Sequence, residues 1–123
     1  MKKFPLLEKL EFRDDGPYAQ PLWVDEHSRI LRFMLKPGQS IDEHRSPRSP
    51  FYVVVLQGHG IFTGSDGVEQ KVSTNTFLRF EPGENHSVRA LDKELVFIGF
   101  LEGFADTPPT QPGGLLGRSE EEG

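Results

Sequence analysis

Residues 37–60 read PGQSIDEHRSPRSPFYVVVLQGHG, and this stretch decides the fold. Its second half, Phe51 to Gln57, is an almost unbroken apolar run rich in β-branched side chains. A run of that length and composition predicts a central strand rather than a helix. Pro37-Gly38 in front and the Gly58-His59-Gly60 triplet behind supply the turns that bound the region. Between them lie a lone histidine, His44, and the proline-punctuated loop RSPRSP, which carries Arg45 and Arg48.

The flanks have the same character. Upstream, SRILRFMLK (28–36) puts Leu31, Phe33 and Leu35 on one face and Arg32 and Lys36 on the other, the period of a half-buried strand. Downstream, GIFTG, the turn SDG and VEQKV predict a hairpin with Gly67 free to take positive φ. NTFLRFEPGENHSVRAL (75–91) gives a strand, a tight turn at Pro82-Gly83, and a strand in which His86, Val88 and Ala90 share a face. ELVFIGFL (94–101) is apolar on both faces, which places it in the interior or at a subunit contact. Apart from one turn near FPLLEKL (4–10), no helical period stands out. Short strands with regular turns predict an all-β sandwich or barrel.

The chain has 123 residues with 13 Gly and 10 Pro, suited to a single turn-rich domain. The absence of cysteine excludes disulfides, thiolate metal sites and Cys nucleophiles. A net charge of −5 argues against nucleic acid as a partner. No run approaches membrane-spanning length and no signal-like segment opens the chain, so the expectation is a soluble, cytoplasmic protein with no membrane partner. From Thr107 the composition changes to TPPTQPGGLLGRSEEEG. The expected organisation is a barrel over residues 1–106 followed by a flexible, acidic Pro/Gly-rich tail over 107–123.

Two stretches, 37–60 and 75–90, resemble the paired motifs of the cupin family, whose fold is a small double-stranded β-helix, or jelly-roll, barrel. In the first motif Gly38, His44 and Gly58 match, while Ser46 stands where a second His belongs and Phe51 where a Glu belongs. In the second, Gly83 and His86 match, while Asn75, Glu81 and Ala90 replace Gly, Pro and Asn. Asn75 is the mildest departure, because asparagine is the next best residue for a left-handed turn position. The resemblance implies a metal held by the motif His and Glu residues, and this chain keeps two of the four positions.

His44 and His86 are therefore the candidate metal ligands, for one divalent ion among Zn, Fe, Ni, Mn and Cu, with water or substrate in the open positions. The competing reading makes them cavity histidines without a metal. Asp42 and Ser46 share strand parity with His44; Glu84 and Asn85 precede His86 in its turn. His59 and His27 are expected outside the site, at a strand end and in a turn. Arg45 and Arg48 read first as solvated loop charge and second as a lure for an anionic ligand at the barrel mouth.

These residues suggest a pocket for a small-molecule ligand with the two histidines as its polar focus, with oxygenase or isomerase chemistry if it is an enzyme. The alternative is a metal-free binding or sensing module. A third reading, in which the pocket is only packed core, predicts a barrel interior filled by Phe side chains. A homodimer is expected from the apolar stretches FPLLEKLEF and ELVFIGFL.

Overall fold

The structure, a computed structural model, describes residues 1–103. The expected tail and its boundary at residue 106 fall outside the described residues. Within them the chain forms nine strands and no helix: β1 (Tyr18–Val24), β2 (Ser28–Leu35), β3 (Ser40–His44), β4 (Phe51–Gln57), β5 (His59–Thr63), β6 (Glu69–Ser73), β7 (Phe77–Phe80), β8 (His86–Ala90) and β9 (Leu95–Glu102). A five-stranded sheet runs β1-β2-β9-β4-β7 and faces a four-stranded sheet running β3-β8-β5-β6. All pairings are antiparallel.

Alternation puts one face of each strand between the sheets. In β4, Phe51, Val53 and Val55 are buried while Tyr52 and Val54 are half-exposed. In β8, His86, Val88 and Ala90 are the buried set, as their shared parity predicts. The predicted hairpin closes between β5 and β6, with Gly67 at φ 74°.

Two turn positions carry the motif geometry. Asn75 stands in the family's glycine position and adopts φ 69°, a region asparagine tolerates better than other side chains. Gly58, at φ 79°, also has no room for a side chain: a Cβ there would lie 2.2 Å from the Glu94 carbonyl oxygen.

Strand β2 departs from the half-buried expectation, because Arg32 and Met34 on its outer face are as buried as Leu31 and Phe33 on its inner face. The segment ahead of β1 lies across that outer face. Arg32 clamps it: Nη1 donates to the carbonyls of Leu6 and Glu8 at 3.0 and 2.9 Å, and Nη2 donates to Lys9 at 3.3 Å. Nε and Nη2 also donate to Gln20 Oε1, so the fork is buried with its donors in use.

Strand β9 lies between β2 and β4, with Leu95 and Phe97 facing inward and Val96 and Ile98 buried on the outer side. Phe4 and Leu6 of one apolar stretch and Ile98 and Phe100 of the other line a common groove on this outer side.

Between the sheets the filling is aromatic. Phe62 meets Phe97 edge-on at 5.5 Å, Phe97 stacks on Phe33 at 4.7 Å, and Phe33 meets Phe51 edge-on at 6.3 Å. The interior therefore matches what the packed-core reading predicts over most of its length, and the polar exception is at one end.

Candidate functional site: a histidine pair in an aromatic cage

His44 closes β3 and His86 opens β8, and the two are direct cross-strand partners. The register shifts between Ile41 and His44, a bulge of the kind that re-aims side chains at strand ends. The imidazoles meet edge-to-face with centroids 4.3 Å apart and planes at 69°.

Their tautomers follow from their partners. His44 Nδ1 lies 2.9 Å from the Asp42 carbonyl oxygen and His86 Nδ1 lies 3.0 Å from the Glu84 carbonyl oxygen. A carbonyl only accepts, so each neutral ring carries its proton on Nδ1 and leaves a lone pair on Nε2. His86 is 4% exposed, and its Nε2 has no hydrogen-bond partner. Burial, reinforced by the proximity of His44, lowers its pKa to about 4, so the ring is neutral near pH 7.

Phe51 and Phe80, register partners whose centroids lie 6.2 Å apart, sit side by side against His86, stacking at 4.9 and 4.7 Å with interplanar angles of 20° and 28°. The space left is a cavity of about 10 Å³ lined by the two histidines, Ile41 and phenyl rings including Phe33, Phe51 and Phe80. That is room for one water molecule.

The remaining candidates serve the frame. Asp42 is exposed and contributes its backbone carbonyl. The Glu84 carboxylate accepts from the backbone N–H groups of Glu81 and Ser65 at 2.8 and 3.1 Å, which hold its pKa below the usual range. The Ser46 carbonyl accepts from Gly83 N at 2.9 Å and so ties the two motif turns together. Asn85, Arg45 and Arg48 are exposed. His59 pairs with Asp92 at 2.8 Å, and His27 is solvent-facing beside Glu26, so neither joins the pair. Phe80, whose ring lies beside that of Phe51 against His86, is the site residue that the motif comparison misses; its parity within FLRF is the only sequence signal for it.

The donor set decides what the site can hold. Two imidazoles line the cavity, and no group of three His, Cys, Asp or Glu residues gathers among the described residues. Phe51, where the family motif has its carboxylate, supplies a hydrocarbon face instead. A divalent ion here would be enclosed by phenyl rings without a counter-charge, at an effective cost of several kcal/mol per ion. These residues do not fit the four-ligand centre of the family.

The fold agrees with what comparison finds. The cupin domain family matches residues 31–99, more than half the chain. An RmlC-like cupin protein from Desulfovibrio desulfuricans superposes with a TM-score of 0.74 at 26% identity, covering 82% of this chain and 96% of that one. A Klebsiella pneumoniae protein with a double-stranded β-helix domain gives 0.80 at 16% identity, covering 87% and 94%. A putative mannose-6-phosphate isomerase from Ralstonia eutropha gives 0.73 at 17%, covering 84% and 99%. No curated protein matches. With the positive-φ turns at Gly38, Gly58, Asn75 and Gly83 in place and one motif histidine on each of two paired strands, the chain belongs to the cupin family.

Proposed function

We propose that this cupin is a metal-free binding module, in which His86 Nε2 accepts a hydrogen bond from an O–H or N–H of a small molecule held among phenyl rings. The observation that carries this reading is the orphaned lone pair of His86. A buried acceptor without a partner costs about 1–3 kcal/mol, and a ligand donor recovers it. Half-buried His44 stands beside it with a second Nε2 lone pair. Because the cavity admits only one water, a larger guest enters by displacing Phe51 or Phe80. Binding then exchanges ring stacking for contact with the guest.

The rival is one divalent ion shared by the two Nε2 atoms. Their matched tautomers favour it, since a ligating imidazole commonly donates its other N–H to a carbonyl. The lack of any anionic donor opposes it.

Phenol, an aromatic ring with one O–H donor, is a suitable probe. Imidazole ¹⁵N spectra recorded during a phenol titration should show a saturable shift of His86 Nε2, and His86→Leu should abolish it. The same protein should show no rise in melting temperature with Zn, Ni or Cu. If the metals raise the melting temperature of the wild type and phenol shifts nothing, the rival replaces this reading.

A further inference from the structure

A second concavity lies outside the barrel, a groove of about 530 Å³ on the outer face of the five-stranded sheet. Its floor includes Ile30 of β2 and Phe100 of β9, neighbours in register. One wall is Leu22 and Trp23 of β1, and the other is Phe4 and Leu6 of the N-terminal segment.

Three features give this groove the character of a binding site. First, β1 bulges between Pro21 and Trp23, so that two successive side chains, Leu22 and Trp23, line the groove where regular alternation would turn one of them away. Second, the N-terminal wall is anchored, because Arg32 holds the carbonyls of Leu6, Glu8 and Lys9 from beneath. Third, the rim carries a cation: Lys2 lines the groove with Nζ 5.7 Å from the centroid of the Trp23 ring. Asp25, the acid beside Trp23, is committed to its own loop. It accepts from Trp23 Nε1, His27 N and Ser28 N at 2.7, 2.8 and 2.9 Å.

We propose that this groove binds a soluble amphiphilic monoanion, with a hydrocarbon chain on the Ile30 and Phe100 floor and a carboxylate at Lys2. The volume falls in the ~300–1,000 Å³ range of small-molecule sites. The walls offer hydrocarbon and aromatic contact for a chain, and Lys2 offers one charge for a head group. Trp23 at 38% exposed and Phe4 at 42% exposed leave the groove open to entry. This proposal is independent of the histidine site.

Trp23 is the only tryptophan in the chain, so its fluorescence reports on this groove alone. Dodecanoate, titrated below its micellar concentration, should change the emission saturably, and a terminally brominated analogue should quench it. Dodecanol should bind more weakly. Lys2→Glu should weaken dodecanoate about five-fold, the scale of an exposed ion pair. Ile30→Glu and Leu22→Glu should each abolish the response, with melting curves confirming that the variants fold. Sedimentation should show the same species with and without dodecanoate. The proposal is overturned if no saturable change occurs, if both folded groove variants still bind, or if dodecanol equals dodecanoate. It is also overturned if the protein is a dimer that the groove substitutions dissociate and dodecanoate does not bind, since the occupant is then a second copy of the chain.

Discussion

Phe51 lies nearly parallel to His86, with ring centroids 4.9 Å apart, at the position where the family motif carries a carboxylate. One side chain thereby removes the negative charge a metal would need and covers a face of the imidazole that would bind it. What remains is a neutral base in a hydrocarbon setting, suited to accepting a hydrogen bond.

Restoring the carboxylate should reverse that character. In Phe51→Glu the new oxygen donors would stand with His44 and His86, and Ni or Zn should raise the melting temperature where the wild type shows no response. Without metal the variant should be destabilised by roughly 3–5 kcal/mol, the scale for losing a buried Phe. Thermal scans and metal content measured on both proteins check this.

His86→Leu should leave stability at pH 7 within about 1 kcal/mol of wild type, although the residue is buried. The substitution loses the bond from Nδ1 to the Glu84 carbonyl but removes the unpartnered Nε2, and the two effects oppose each other. Urea denaturation gives the comparison. A large loss would show His86 to be structural.

Acid should weaken the fold through the same ring. His86 has its pKa lowered from 6.5 to about 4 by burial, so between those values the unfolded chain binds a proton that the folded chain does not. Its contribution is fully present above pH 6.5 and is lost as pH falls toward 4. The loss is roughly 3 kcal/mol from the size of the shift. Denaturation at pH 7.5 and 4.5 should show this drop in the wild type and a smaller one in His86→Leu.

Arg32→Leu should free the N-terminal wall. Hydrogen bonds from a charged donor are worth about 1.5–3 kcal/mol, and this guanidinium reaches three segment carbonyls, so the variant should lose about 2–4 kcal/mol. Hydrogen exchange should rise first in residues 6–11, and dodecanoate affinity should fall with the wall. Protection unchanged in that segment would mean that apolar contacts alone hold it.

Much of this protein was determined locally, by period, turn chemistry and motif spacing. Alternation along 51–57 and 86–90 reports which side chains face the sheet interior, because a strand's faces alternate every residue. The positive φ of Asn75 was legible because few residues tolerate it. The family resemblance of the two motifs implied that His44 and His86 would share one end of the barrel, and the pairing of β3 with β8 brings the imidazoles together.

Only the tertiary structure decided what surrounds them and what covers the sheet. Phe80 reaches His86 through the pairing of β7 with β4, and Phe51 through the meeting of the two sheets; neither contact is a property of a strand's own period. Arg32 read as a solvent-facing charge because alternation places it opposite Phe33, yet it is buried under a segment more than twenty residues earlier in the chain. Pattern along a strand encodes which face a side chain takes. It does not encode whether another segment will cover that face, because that depends on contacts between residues distant in sequence.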